Sequence, residues 1–314
     1  MSGPDVVVLG EALVELSSHL PLETAVDFSL SFSGDALNAA AAAAAAGART
    51  VLVTHVGDDE LSARLVRRIG ELGVDTGAVV RTGRPNGAYL VGADPDGTRD
   101  FAYLRAGSAT SAMDAGDVPV ELLASARCLL VSGITAALSP SCERAVLAAA
   151  RATAAAGGTV VYDPNYRRRL VDAATARRHL EQVAALGAVV VPSCPADALA
   201  LLGTDDPREA ARRARALGAS AVAVTCGPDG AWLDAGPAGS PLVHVPAARA
   251  ASVVDATGAG DVFAGTLTAR LAVGDDLPLA ARLGAAAAAL SLAGRGGTGH
   301  LPTLAETRAL AGAS

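Results

Sequence analysis

The chain has 314 residues, a mass of 31.0 kDa and a formal net charge of −7. Its 25 basic residues are all arginine, which excludes a P-loop because that phosphate-binding motif needs a lysine. The negative charge, with no arginine-rich stripe among aromatic residues, argues against nucleic-acid binding. Residues 1–10 lack the basic segment of a signal peptide, and the alanine-rich runs 39–46 and 284–293 are too short to span a bilayer. We therefore expect a soluble cytoplasmic protein.

Short β-rich runs alternate with amphipathic segments along the chain. The predicted strands cover residues 6–9, 51–56, 129–131, 160–162, 189–191 and 221–225, and helices are predicted from about Ala36 and over 59–70. Ser139 followed by Pro140 is typical of a helix start, with serine as the cap and proline in the first turn. Strands that alternate with helices predict an α/β fold built on a doubly wound parallel sheet.

Two segments interrupt this alternation. Residues 12–33 alternate in short apolar pieces, and residues 87–104 are typical of a hairpin with a turn at 94–97. Strands inserted into an α/β chain often form a flap over the carboxyl edge of the sheet, where ligands bind; a plain extension of the sheet is the alternative. With no repeat or charged linker, we expect a single domain over residues 1–314, with lid strands from about 12–33 and 87–104.

The most informative run is VDATGAGDVFAG at residues 254–265, which leads into a helical stretch. Helix starts leave backbone N–H groups unpaired and carry partial positive charge, so Gly258, Ala259 and Gly260 suit an anionic ligand. Asp261, in the same turn, would repel a phosphate. Its presence is explained if it takes a proton from a hydroxyl that attacks a phosphoryl group. Ordinary complementarity between a carboxylate and the helix dipole is the alternative interpretation.

Polar residues also follow other predicted elements. Asp35 and Asn38 stand three residues apart at a helix start after Gly34, where they could bond a sugar or serve as caps. The run DPNYR, residues 163–167, follows a strand at the edge where α/β sites are built. The run TCGPDG, residues 225–230, stands at the end of the predicted strand 221–225. It is either a ligand-binding loop or a simple turn.

These strings together resemble signatures of the ribokinase-like (PfkB) carbohydrate kinases. DATGAGD is similar to the family's D-T-x-G-A-G-D, with Ala256 in place of threonine, and SGDALNAA is similar to G-G-x-x-x-N-x-A, with Ser33 in place of the first glycine. DPNYR matches D-x-N-x-R, TCGPDG resembles the nucleotide-side T-x-G-x-x-G, and GRGG at 294–297 resembles the last loop beside the base. The resemblance runs from about residue 5 to residue 305.

The resemblance implies a ribokinase-like α/β fold with a small β-lid, and phosphorylation of a sugar or sugar acid by ATP with Mg²⁺. The residues it implicates in catalysis are Asp261, Gly258, Ala259 and Gly260, and those on the nucleotide side are Thr225, Gly227, Gly230, Gly258 and Gly260. It also implies a homodimer formed through the lid. Many members carry N-x-x-E where this chain has SCPA at 193–196, with Asp197 one place late. How Mg²⁺ is held, and whether a monovalent cation binds near Asp255, therefore stay open.

Within the family, the strings YLRAGSA, LVSGIT and ALSP resemble 2-keto-3-deoxygluconate kinases. The implied substrate-binding residues are Gly34, Asp35, Asn38, Tyr89, Tyr103, Arg105, Asn165 and Arg167. An aldonate carboxylate calls for the arginine fork, whereas a neutral hexose needs Asp and Asn; each arginine alone could also be a solvated surface charge. Glu11 could support hydroxyl contacts. We expect a sugar-acid kinase, the alternatives being a kinase of a neutral sugar or nucleoside and a non-catalytic ligand-binding member.

Overall fold

The structure, a computed structural model, describes residues 3–93, 99–237 and 239–312. Within these residues the chain forms a nine-stranded sheet, a separate four-stranded sheet and ten α-helices. The strands are β1 Val6–Leu9, β2 Leu13–Ser17, β3 Ser29–Ser33, β4 Thr50–Val56, β5 Val79–Arg81, β6 Ala88–Ala93, β7 Arg99–Leu104, β8 Cys128–Ser132, β9 Thr159–Asp163, β10 Val189–Val190, β11 Ala221–Thr225, β12 Ala231–Asp234 and β13 Val243–Val245. The helices are α1 Asp35–Ala45, α2 Glu60–Glu71, α3 Val120–Ser125, α4 Gly133–Ala137, α5 Pro140–Ala155, α6 Ala173–Ala184, α7 Pro207–Ala216, α8 Ala259–Ala272, α9 Leu277–Ser291 and α10 Leu304–Ala311.

The large sheet has the strand order β13-β12-β11-β10-β9-β8-β1-β4-β5. All neighbours from β11 to β5 pair in parallel, and β12 and β13 add an antiparallel edge. Alternate residues of β1 enter different cores: Val6 and Val8 pack with α1, α2, α8 and α9, whereas Val7 and Leu9 pack with α5, α6 and α7. A strand buried on both faces requires a continuous apolar run. The predicted doubly wound α/β fold is confirmed.

Helix starts follow the capping chemistry expected from the sequence. The Ser139 hydroxyl accepts the N–H of Cys142 at the start of α5, where Pro140 occupies the first turn. Gly258, in contrast, stands at the start of α8 in the left-handed region, with φ 79° and no side-chain cap. The N-terminus of α8 is therefore open to a ligand. None of the described helices combines the length and apolar character needed to cross a membrane.

The four-stranded sheet has the order β3-β2-β6-β7 and is drawn from residues 12–33 and 87–104. Strands β6 and β7 pair antiparallel with Ala88 opposite Leu104, while the predicted turn at 94–97 lies outside the described residues. The two segments form a sheet of their own rather than an extension of the large one. The aromatic rings of Tyr89, Phe101 and Tyr103 pack together on it with centroids 5.7–6.2 Å apart. We refer to this sheet as the lid.

Candidate active site

A cavity of about 630 Å³ lies between the lid and the carboxyl edge of the large sheet. The starts of α1 and α8, the segments that follow β9 and β10, the end of β11 and the lid strands β6 and β7 form its walls. The predicted site residues that line it are Gly34, Asp35, Asn38, Tyr89, Tyr103, Arg105, Asn165, Arg167, Thr225, Gly258, Gly260 and Asp261. Motifs that are far apart in the sequence thus meet in one place.

The carboxylate of Asp261, in the first turn of α8, is held by two side-chain amides. Nδ2 of Asn38 donates to Oδ2 at 2.8 Å, and Nδ2 of Asn165 donates to Oδ1 at 3.2 Å. Burial, together with the nearby Asp35 carboxylate, raises the pKa of Asp261 to about 7, while the two amides act in the opposite direction. A carboxyl group that titrates near neutral pH is suited to accept a proton from a hydroxyl group.

The turn after β9 directs Asn165 toward Asp261. Asn165 adopts φ 40°, in the left-handed region that asparagine tolerates better than most residues. Its backbone N–H donates to Oδ1 of Asp163 at 2.9 Å, which closes a small turn. The DPNYR motif is therefore a rigid corner that presents its asparagine to the cavity.

The start of α1 brings Asp35 to the cavity through a glycine. Gly34 has φ 123°, and a Cβ on it would lie 2.3 Å from the carbonyl oxygen of Glu11, so no larger residue fits. The Ser132 hydroxyl donates to Oδ2 of Asp35, whereas the buried Oδ1 has no hydrogen-bond partner among the described residues. A buried oxygen of this kind is a natural acceptor for a substrate hydroxyl.

Four arginines line this cavity, Arg105 beside the lid and Arg167, Arg168 and Arg169 in the segment after β9, and the first two act on the same carboxylate. Arg105 follows lid strand β7, and its guanidinium stacks over the Tyr103 ring at 4.5 Å. Arg167 is exposed at the end of the DPNYR corner and lines the same cavity. Burial raises the pKa of Asp35, and both guanidinium groups lower it, so both act on the same carboxylate. The two positive charges therefore converge on one part of the cavity.

Glu11 lies beneath Arg105 rather than in the cavity. Its side chain is fully buried, Oε2 is 3.3 Å from Nε of Arg105, and the Arg105 side chain is only 12% exposed. Burial raises the pKa of Glu11 to about 7, against the lowering by Arg105. Glu11 is therefore placed to hold the arginine and not to contact a sugar hydroxyl.

The Tyr89 hydroxyl is engaged within the lid. It donates to Oε2 of Glu15 on β2, and both residues are buried. Tyr89 therefore offers the cavity mainly its ring, beside Tyr103. Direct contact of either tyrosine with a substrate stays a prediction from the sequence.

Comparisons with known proteins agree with this arrangement. The pfkB family carbohydrate kinase profile matches residues 4–304. The chain belongs to this family. A 2-dehydro-3-deoxygluconokinase of Thermoproteus tenax is 36% identical over 309 residues, 97% of this chain and 93% of the relative. One of Bacillus subtilis (strain 168) is 30% identical over 304 residues, 95% of this chain and 93% of the relative.

A solved structure extends the likeness to three dimensions. An Escherichia coli protein assigned to the ribokinases, in complex with ATP and Mg²⁺, is 25% identical, with 99% of each chain covered and a TM-score of 0.88. The ribokinase-like fold and the phosphotransferase class predicted from the motifs are confirmed.

In this pfkB kinase the predicted nucleotide-side residues divide into two groups. Thr225, Gly258 and Gly260 line the cavity, but Gly227 and Gly230 are not among the described residues that do. Ala259, which the resemblance implicates in catalysis, is not among them either. A Cβ on Gly230 would lie 2.1 Å from the carbonyl oxygen of Val245, so packing against β13 already requires this glycine. Contact of Gly227 or Gly230 with a nucleotide stays a prediction.

The glycine loop, residues 294–299, packs against Asn38 and the segment that leads into α8. A Cβ on Gly297 would lie 2.2–2.4 Å from the side-chain amide atoms of Asn38. The Asp255 carboxylate accepts two backbone N–H groups, that of Gly296 on Oδ2 at 2.7 Å and that of Thr257 on Oδ1 at 2.8 Å. The loop therefore fixes both Asn38 and the approach to the start of α8.

Carboxylates near the start of α8 could serve a divalent cation, although the structure shows no preformed cage. Among the described residues no group of three His, Cys, Asp or Glu side chains is arranged to hold a metal ion. Burial and the carboxylates of Asp197 and Asp261 raise the pKa of Asp163 well above its ordinary range. A bound cation would reduce the repulsion between these carboxylates. Their oxygen atoms suit Mg²⁺, which prefers oxygen ligands and keeps several waters.

Asp197, one place later than the family motif, already has protein partners. Its Oδ1 accepts the N–H of Tyr166 at 2.8 Å, and its Oδ2 accepts the N–H and the hydroxyl of Ser193 at 2.7 and 2.6 Å. The carboxylate therefore ties the segment after β10 to the DPNYR corner. It remains on the cavity wall, where its other lone pairs could accept from metal-bound water.

Sequence reasoning did not find the partners that hold the predicted residues. Ser132, which donates to Asp35, is the N-cap of α4 and could have been noticed as a polar residue at a strand end. Glu15 lies in β2 among apolar residues and is buried. A carboxylate within an apolar strand was the sequence signal for it, because glutamate is rarely buried without a partner.

Proposed function

We propose that this pfkB kinase transfers the γ-phosphoryl group of ATP to the terminal hydroxyl of 2-keto-3-deoxygluconate or a closely related keto acid. The observation that carries the proposal is the placement of Arg105 and Arg167 on the walls of the cavity that contains Asp261. Two guanidinium groups match a substrate carboxylate, whereas a neutral sugar would not need them. The Thermoproteus tenax and Bacillus subtilis relatives carry the name of this activity.

The substrate is oriented by groups at the bottom of the cavity. Asp35 supplies a buried oxygen without a protein partner, which suits a sugar hydroxyl. With the carboxylate between the arginines, the far end of the acid extends toward the start of α8. The hydroxyl that reacts is then the one farthest from the carboxylate, which is the terminal one.

Proton transfer falls to Asp261. Its carboxylate, held by the amides of Asn38 and Asn165, accepts the hydroxyl proton as the oxygen attacks phosphorus. The backbone N–H groups of Ala259, Gly260 and Asp261 at the open start of α8 stabilise the charge that develops on the phosphoryl oxygens.

Mg²⁺ is the metal that the E. coli structure contains together with ATP. In this chain, Asp163 and Asp197 would reach a metal that is held mainly by the nucleotide phosphates and water. When bound, Mg²⁺ neutralises charge on the phosphates. A monovalent cation near Asp255, a lid-to-lid homodimer and a cytoplasmic location stay predictions from the sequence, as does the use of the whole chain as one kinase domain.

A kinase of a neutral sugar, such as fructose, is the second candidate. The ion pair between Glu11 and Arg105 favours it, because a guanidinium that is already paired attracts a second carboxylate less strongly. Arg167 favours the acid, since its side chain is exposed in the cavity, where Nη1 donates to the neighbouring Tyr166 carbonyl and no ion pair is found for it among the described residues.

A coupled assay of ADP release tests the proposal. With ATP and Mg²⁺ present, the acceptors to compare are 2-keto-3-deoxygluconate, its galactonate-derived epimer, fructose, ribose and adenosine. We expect ADP release with a keto acid and much less with fructose. Preference for a neutral sugar would overturn the substrate assignment, and absence of ADP release with every acceptor would favour a ligand-binding role.

A further inference from the structure

A second cavity, of about 460 Å³, lies behind the glycine loop, between lid strand β3 and helix α2. Its charged lining residues are Arg64, Arg67, Arg68 and Glu71 of α2 and Arg295 of the loop, and Phe32 of β3 contributes its ring. We refer to it as the arginine cavity. Its volume is in the range of small-molecule sites.

The charge in this cavity is strongly unbalanced. Arg64, Arg67 and Arg68 are spaced so that they share one face of α2, where like charges destabilise a helix. Glu71 pairs with Arg68 at 3.4 Å, and within residues 3–93, 99–237 and 239–312 no ion pair is found for the other three arginines. Four guanidinium groups therefore face one carboxylate, an excess of three positive charges.

Several of these arginines are oriented by contacts with the cavity walls. The guanidinium of Arg64 lies over the Phe32 ring at 5.7 Å, and Nη1 of Arg295 lies 2.9 Å from the His19 ring. The Thr298 hydroxyl donates to the Phe32 carbonyl at 3.1 Å, which joins the glycine loop to β3. The arginines thus surround a concave space with a defined floor, a geometry suited to a compact anion.

The glycine loop is a wall shared by the arginine cavity and the catalytic cavity. Gly296 and Gly297 line the arginine cavity, while Gly297 packs on Asn38 and Gly296 bonds Asp255. Asn38 in turn holds Asp261. An anion bound by Arg295 therefore lies one layer of backbone from the residue that positions the proposed base.

We propose that the arginine cavity is an effector site for a small phosphate compound that carries at least two negative charges, such as a sugar phosphate or a diphosphate. The excess positive charge supplies the affinity, and the glycine loop transmits occupancy to Asn38. The binding claim stands apart from the proposed substrate, and only the kinetic readout rests on the proposed function.

Calorimetric titration tests the binding claim. The ligands are pyrophosphate and 6-phosphogluconate, and the proteins are wild type, the double variant Arg64→Gln/Arg67→Gln and the single variant Arg151→Gln. Arg151, on α5, lines neither cavity. We expect the double variant to lose affinity about tenfold or more, because charge-assisted hydrogen bonds of this kind are worth over a factor of ten, and Arg151→Gln to bind like wild type.

Equal binding by all three proteins would overturn the site. Weaker binding of pyrophosphate alone by the double variant would identify a nucleotide-type ligand. Weaker binding of 6-phosphogluconate alone would identify a sugar-acid phosphate. Either result would support the proposed site. The double variant should keep or gain Tm, because it removes repulsion between like charges. A loss of affinity in the double variant can therefore not be explained by unfolding.

Steady-state kinetics test the effector claim. The ligand that binds should change kcat or KM of the wild type with the best acceptor, and the double variant should not respond while its activity without ligand stays normal. Binding without any kinetic change in the wild type would overturn the effector role. If no acceptor supports turnover, the proposed function fails instead, and the calorimetric result is unaffected.

Discussion

Asn38 and Asp261 are 223 residues apart in the chain, yet their side chains share a hydrogen bond of 2.8 Å. The bond joins the start of α1 to the start of α8, two helices that pack closely because a Cβ on Gly265 would lie 2.1 Å from the Ala39 carbonyl oxygen. The Asp261 carboxylate, the proposed base, is thus oriented by a contact between helices. A residue that acts through Asp261 should reveal itself in the pH dependence.

Replacing Asn38 by alanine should shift the pH profile. Asp261 has a pKa of about 7 and must be ionised to accept a proton, so kcat/KM should fall as the pH drops through 7. The Asn38 amide lowers that pKa, so its removal should raise the pKa and move the acidic limb to higher pH. The measurement is kcat/KM between about pH 5 and pH 9, in buffers of constant ionic strength because salt screens charge interactions.

Ser33→Ala provides the matched control for Asn38. The Ser33 hydroxyl contacts Oδ1 of Asn38 at 3.3 Å and not the Asp261 carboxylate. Its removal should leave the acidic limb where it is. An unshifted limb in Asn38→Ala would show that Asn38 does not tune the proposed base.

Asp261→Asn should reduce kcat by about 10²–10⁴, the usual contribution of general base catalysis. Burial raises the pKa of this carboxyl to about 7, so the charge that it carries at pH 8 destabilises the folded state, and its replacement by a neutral amide should not lower Tm at that pH. ATP binding, measured by titration, should be retained. A variant with near wild-type turnover would remove Asp261 from the role of base.

Arg167→Ala should separate acid substrates from neutral ones. We expect kcat/KM for 2-keto-3-deoxygluconate to fall about tenfold or more through loss of a charge-assisted bond, and the value for fructose to change little. Arg151→Ala, on the outer side of α5, is the control for removal of an arginine. An equal loss with both acceptors would argue against contact between Arg167 and the carboxylate.

Glu11→Gln should act through Arg105. The change keeps the size of the side chain and removes the charge that holds Nε of Arg105 at 3.3 Å. We expect KM for the keto acid to rise about tenfold while kcat changes less, because a misplaced guanidinium weakens binding rather than chemistry. A fall in kcat with an unchanged KM would contradict this positioning role.

Glu181→Gln is the control for Glu11. It removes a partner of Arg177, an ion pair of 2.8 Å between exposed residues of α6. Exposed pairs of this kind contribute little to stability. Its kinetic constants should match those of the wild type.

Local patterns in the sequence predicted several strands and helix starts correctly. The apolar run 6–9 is buried on both faces as β1, and residues 221–225 form β11 within the predicted limits. The start of α5 at Ser139 and Pro140 also followed from local chemistry, because a cap depends only on residues within one turn. Such features need no information about the rest of the fold.

Contacts between distant segments could not be predicted in this way. Glu11 stands beside a strand end, where the sequence predicts support for a hydroxyl contact. The structure instead buries it under Arg105, a residue that is distant in the sequence. The family motifs named the residues that face the cavity, since those residues carry the chemistry. Glu11 and Glu15 hold Arg105 and Tyr89 in place. Their contacts depend on how the lid packs on the sheet, which local sequence patterns do not show.

The specificity ratio of the wild-type enzyme tests the central claim most directly. It is the kcat/KM for 2-keto-3-deoxygluconate divided by that for fructose, from ADP release with ATP and Mg²⁺ at pH 8, where Asp261 is ionised. The placement of Arg105 and Arg167 predicts a ratio of about 100 or more, a factor of ten for each guanidinium. A ratio near or below about one would leave the fold and Asp261 in place but contradict the sugar-acid assignment.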